Sequence, residues 1–121
     1  MATNVYPLVP LPEPWTPAQA TERIRRSAGD DEFSLILAGH AEEQMEERGL
    51  TIPDIMYVLQ NGFVYDKPTK ATKWGLFKYA VVNPSPNSNR REVRVIAIPS
   101  AGAPCAKVVT VMWADEVVVG G

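Results

Sequence analysis

One run, HAEEQMEERGLTIPDIMYVLQNG from His40 to Gly62, constrains this chain more than any other stretch. Ala41 and Met45, four residues apart, form an apolar stripe with Leu37 before them, and Glu42, Glu43, Glu46 and Glu47 cover the opposite face. The acids open the helix and Arg48 closes it, as the backbone dipole favours. Gly49 stands where a left-handed C-terminal cap needs a residue without a Cβ. Thr51 then fits an N-cap, with Pro53 early in the next helix and Asp54 three residues on, close to a capping box. Ile52, Ile55, Met56 and Leu59 follow a core-facing helical spacing, and Asn61-Gly62 ends the pattern. The run predicts two short helices joined by a tight turn.

Other elements assemble around that pair. Residues 1–15 hold Pro7, Pro10, Pro12 and Pro14 among apolar side chains, which predicts an extended arm lying along the domain or against a partner. Thr16-Pro17 starts a helix running to about Ala28, which Gly29-Asp30-Asp31 ends. Glu32 to Ala38 reads as a strand, and FVY after Gly62 as a brief one. Lys67 to Thr72 is expected to be a loop. Lys73 to Val82 is predicted as a strand, with Trp74, Leu76, Lys78 and Ala80 on one face and Gly75, Phe77, Tyr79 and Val81 on the other. Asn83 to Asn89 is loop. Glu92 to Ile98 is a strand that sets Val93, Val95 and Ala97 opposite Arg94, Ile96 and Ile98. Lys107 to Ala114 is the last strand, after which DEVVVGG pairs briefly or frays. Short connections favour antiparallel pairing. The expectation is an arm, residues 1–15, and one α+β domain, residues 16–121, with helices on one face of a sheet.

Charge is distributed unevenly. The net charge is −2. From Asp30 to Asp54 there are eight acids (Asp30, Asp31, Glu32, Glu42, Glu43, Glu46, Glu47, Asp54) and one base, Arg48. From Lys67 to Arg94 there are seven bases (Lys67, Lys70, Lys73, Lys78, Arg90, Arg91, Arg94) and one acid, Glu92. Such a segment suits a polyanion, and it equally suits a solvated loop surface. No apolar run reaches the roughly 20 residues of a membrane helix, and the N-terminus lacks the order of a secretory signal. The lone Cys105 permits no internal disulfide, which is compatible with the cytoplasm. One histidine and one cysteine argue against zinc. No metal and no cofactor are expected.

The residues His40, Ala41, Met45, Arg48, Gly49, Leu50, Thr51, Asp54, Ile55, Leu59 and Gly62 make a spacing that resembles the signature of the family called domain of unknown function 4258. The resemblance covers roughly residues 33 to 114 and departs at Gln44, where the family usually carries Arg. It implies kinship with the RelE/ParE- and MqsR-like toxins. Those are small cytoplasmic proteins in which a helical pair packs on a small curved antiparallel sheet, and many of them cleave RNA. It thereby implies RNA as substrate and an antitoxin protein as partner; a second copy of the chain is a further expected partner.

On that reading, metal-independent cleavage requires a proton acceptor, a proton donor and cations around the phosphorane. His40 is the natural titrating group, and Arg48, Lys78 and Arg94 are the candidate phosphate-holding cations. Lys73, Trp74, Tyr79, Arg91 and Trp113 are the candidate RNA contacts, the aromatics by stacking. Each residue also fits a plainer role. His40 suits a helix start, Arg48 complements the end of its helix or pairs with Glu47 or Asp54, Lys78 and Arg94 suit a half-exposed sheet, and the tryptophans suit a core. The rival reading is a non-catalytic protein-binding module that uses the apolar arm and the sheet surface.

Overall fold

The computed structural model describes residues 8–116; the first seven residues of the arm and the last five of the tail lie outside the described residues. Helix α1 spans Pro17–Ala28. Its start is a complete capping box, in which Gln19 N–H donates to the Thr16 hydroxyl (3.1 Å) and Thr16 N–H donates to the Gln19 side chain (3.0 Å). Ala20, Ile24 and Ala28, each four residues apart, form its buried edge. Strand β1 (Ser34–Leu37) leads into α2 (Gly39–Arg48). Gly49, at φ 68°, closes α2, and Leu50 N–H then donates back to the Met45 carbonyl at 2.9 Å.

Helix α3 (Ile52–Asn61) starts at the Thr51–Asp54 capping box and buries Asp54, Ile55, Val58 and Leu59. The expected stripe is therefore rotated. Ile52 is 52% exposed and Met56 only half-buried, while Val58 and the carboxylate of Asp54 point inward. Periodicity alone could not supply that phase, because Asp54 is drawn in by partners far along the chain.

Five further strands complete the sheet: β2 (Phe63–Val64), β3 (Thr69–Lys70), β4 (Phe77–Pro84), β5 (Glu92–Pro99) and β6 (Cys105–Trp113). Their order is β1-β6-β5-β4-β2, and β3 also pairs with β4. Among the described residues all pairings are antiparallel except one: β1 runs parallel to β6, with Ser34 opposite Cys105 and Leu37 opposite Val108. The purely antiparallel expectation fails there because everything from α2 to β5 serves as the long crossover that a parallel neighbour requires. Two residues of the expected 67–72 loop form β3. The strand expected from Lys73 begins at Phe77, because Gly75 turns the chain at φ 79°, and a Cβ there would sit 2.6 Å from Pro10. Lys73 and Trp74 thus belong to a turn.

Alternation along β4, β5 and β6 sends Tyr79, Val81, Val93, Val95, Ala97, Val108 and Val111 into one core with Ile24, Ala41, Met45, Ile55, Val58 and Leu59. That is the helix side of this α+β fold. Among the described residues, the other side of the sheet carries no helix. Residues 8–11 clasp one end of the sheet: Leu11 N–H donates to Gly75 O, Ala101 N–H to Val9 O and Val9 N–H to the Ser100 hydroxyl, all within 2.8–2.9 Å. Leu11 is buried, which contributes about 2 kcal/mol.

Candidate functional site

The open face of the sheet is built by the residues that alternate with the core. Lys78 on β4 lies opposite Thr69 of β3; across the sheet, Ile98 of β5 lies opposite Lys107 of β6, which lies opposite Ile36 of β1. Because Tyr79 is paired with Ala97, Lys78 falls beside Ile98, so two lysines share one row with isoleucines between and beside them. Between Ile96 and Ala97 the register slips and β6 carries an extra residue, Val109. Such a bulge bends its strand and re-aims side chains. Over this row the β3–β4 turn forms a wall, and the result is a cleft of ≈ 430 Å³. Its cationic lining is Lys73, Lys78 and Lys107, and Ile36, Leu76, Ile98 and Val109 form most of its apolar floor.

Arg94 lies on the same face, paired with Val82 and Met112. It sits four residues from Ile98, about 13 Å along the strand at roughly 3.3 Å per residue. None of Lys73, Lys78, Lys107 and Arg94 has an acidic partner within 4.0 Å among the described residues. Lys78, Lys107 and Arg94 are half-buried, so each gives up part of its hydration without gaining a counter-charge. A site of this kind favours an anion with an apolar part.

The two residues of the helical signature lie elsewhere. His40 opens α2 with a 70% exposed side chain, 4.0 Å from Glu43. Arg48 closes α2 and donates two hydrogen bonds to Glu116, Nε at 2.7 Å and a terminal nitrogen at 2.8 Å. Glu47 and the Gln44 carbonyl take its remaining nitrogen at 3.3 Å. The hydrogen bond to Glu116 raises the Arg48 pKa and, reciprocally, pulls the Glu116 carboxyl down to about 2. Since α2 packs on the core side of the sheet, His40 and Arg48 are separated from Lys78 and Arg94 by the sheet itself.

The aromatic candidates divide. Trp74 is 87% exposed at the rim beside Lys73, open for stacking. Tyr79 is fully buried: it stacks on Trp15 with centroids 5.9 Å apart, and its hydroxyl accepts from Trp15 N–H at 2.6 Å, so it offers no face to a base. Trp113 is half-buried under Arg91, whose guanidinium carbon lies 4.4 Å from the ring centroid and whose nitrogens hold Asp115 at 2.8–3.2 Å. Lys107 joins the cleft although strand patterning alone does not single it out. Its signal was a lone cation opening an apolar run, KVVTVMW, of the same kind that singled out Lys78 and Arg94.

The sequence model of the family described as Domain of unknown function (DUF4258) matches residues 37–113. The chain belongs to that family. The DUF4258 match takes in both signature helices and every strand from β2 to β6, and so Lys73, Lys78, Arg94 and Lys107. No curated protein and no solved structure gave a match to the chain. Within the DUF4258 chain, no helix of the described residues is long and apolar enough to cross a membrane, and no three of its His, Cys, Asp or Glu side chains gather as a metal site among them.

Proposed function

We propose that this DUF4258 domain binds RNA on the open face of its sheet, as a toxin-type module of the RelE/ParE and MqsR kind. The observation that carries the reading is the cleft in which Lys73, Lys78 and Lys107 meet without acids over an apolar floor. Gathered cations repel one another, and a phosphate relieves that repulsion. Exposed Trp74 at the rim adds a stacking surface, and Arg94 extends the positive track along β5. The proposal is binding first. Lysines around a phosphate stabilise developing charge, but among the described residues the cleft lining contains no imidazole or carboxylate to take a proton, and His40 is on the helix side.

The apolar floor also favours a second reading, in which an acidic segment of a partner protein, antitoxin-like in the toxin reading, lies in the same cleft. Fluorescence anisotropy of a short labelled single-stranded RNA tests the first. The wild type binds at low salt, and each lysine removed from the cleft lowers the steepness of the salt dependence by about 0.7. Lys78→Ala with Lys107→Ala lowers affinity. Unaltered binding by this double variant, or no binding by the wild type at low salt, overturns the RNA reading and leaves the protein-partner one.

A further inference from the structure

The lysine cleft leaves the signature arginine of the helical pair unused, and its surroundings are specific. Arg48 and Arg91 flank the end of β6. Arg48 grips both oxygens of Glu116, with Oε1 at 2.7 Å and Oε2 at 2.8 Å. Arg91 grips the adjacent Asp115 differently, with Nε and a terminal nitrogen both on Oδ1, at 3.0 and 2.8 Å, and Nε also reaching Oδ2 at 3.2 Å. Trp113 lies between these pairs. Its ring carries the Arg91 guanidinium, and its backbone N–H donates to Glu116 Oε1 at 2.8 Å. Two consecutive carboxylates of one turn thus fill two guanidinium forks and a backbone donor. Both arginines lie inside the residues matched to the family, and both carboxylates lie outside them.

We propose that Arg48 and Arg91 form an oxyanion site of phosphate type around Trp113, and that the chain's own Asp115 and Glu116 occupy it as an internal stand-in. Guanidinium forks match carboxylate and phosphate oxygens with the same geometry, so one class replaces the other without rebuilding the donors. The stand-in is held lightly at one end. The Asp115 side chain is 66% exposed, and a cavity of ≈ 330 Å³ lined by Arg90, Arg91, Glu92, Ala114 and Asp115 adjoins it. At the other end it is held firmly: the Arg48 and Glu116 side chains are only 17% and 27% exposed. Displacement therefore starts at Asp115 and ends at Glu116. The site lies at the helix-side end of β6, apart from the lysine cleft, and does not depend on the RNA reading.

The full-length variant Asp115→Asn with Glu116→Gln keeps the shape of both side chains and removes both charges. Two-dimensional NMR of the arginine Nε–Hε groups, during titration with inorganic phosphate, reads both forks directly. In the wild type the Arg48 and Arg91 signals hold their positions at millimolar phosphate. In the variant both move with saturation, at an affinity at least about ten-fold higher than any wild-type response. A folded variant whose two signals ignore phosphate overturns the proposal, as does a wild type that titrates identically to the variant. If the double variant loses its fold, exposed Asp115→Asn alone decides: Arg91 must then respond to phosphate, and a silent Arg91 overturns the proposal.

Discussion

Replacing Asp54 is the sharpest test of how this fold is held. Its carboxylate is fully buried and accepts four hydrogen bonds: Thr51 N–H at 2.8 Å, the Thr51 hydroxyl at 2.9 Å, Asn87 N–H at 2.9 Å and the Asn87 side-chain amide at 3.0 Å. Burial is the largest single influence on its pKa and acts upward, yet the bonds from Asn87 and Thr51 together outweigh it and hold the group well below the usual carboxylate range. Hydrogen bonds to a charged acceptor are worth about 1.5–3 kcal/mol each, but these four share one carboxylate, and Thr51 and Asn87 are open to water once it is gone. Asp54→Ala should therefore cost about 3 kcal/mol. Asp54→Asn keeps one acceptor oxygen and turns the other position into a donor facing donors, for a cost of about 2 kcal/mol. Because the folded pKa is depressed, this stability is complete above about pH 5 and is lost progressively as pH falls from the unfolded value near 3.9 toward the folded one. The gap between wild type and Asp54→Asn should narrow by about 1 kcal/mol between pH 7 and pH 3. Urea denaturation at both pH values measures it. A gap that stays constant, or an Asp54→Ala loss under about 1 kcal/mol, refutes the reasoning.

Glu116→Gln should lower stability by about 1–2 kcal/mol at neutral pH. It should also flatten the decline of stability between the unfolded value of about 4.3 and the folded value of about 2, read by the same denaturation series. Trp74→Ala should leave the melting temperature unchanged while weakening RNA binding about ten-fold, measured by anisotropy. His40→Ala should change stability by less than about 0.5 kcal/mol and leave RNA affinity alone, since its side chain is exposed on the helix side. Gly75→Ala meets both a left-handed backbone and Pro10, so thermal melting should show a loss of about 2 kcal/mol and amide exchange at Leu11 should accelerate.

Local signals carried most of the elements. The caps at Thr16, Gly49 and Thr51 are written within a few residues of the turns they control, and the helices end where those residues say. Alternation placed Lys78 and Arg94 on the face opposite Val81 and Val95. What stayed hidden depends on distant pairings. Asp54 reads as a capping residue, but its second anchor is Asn87, 33 positions away. Arg48 reads as a partner for Glu47 or Asp54; it does meet Glu47 through one nitrogen, but its fork goes to Glu116, 68 positions on. Lys107 joins Lys78 only because β6 enters the sheet beside β5, and no local pattern encodes that register. The candidate cations were visible one by one. Their division between two sides of the sheet was not.

The place of β6 has a consequence for how the chain is made. Among the described strands it is the last to be synthesised, yet it lies between β1 and β5 and holds both. A nascent chain that has reached residue 104 therefore carries β1 without a sheet partner, an open edge on β5 and an apolar Val93-Val95-Ala97 surface with no neighbour on that side. Closure waits for Cys105–Trp113 to emerge and insert between strands made far earlier, a late, long-range step of the kind that slows folding and invites self-association.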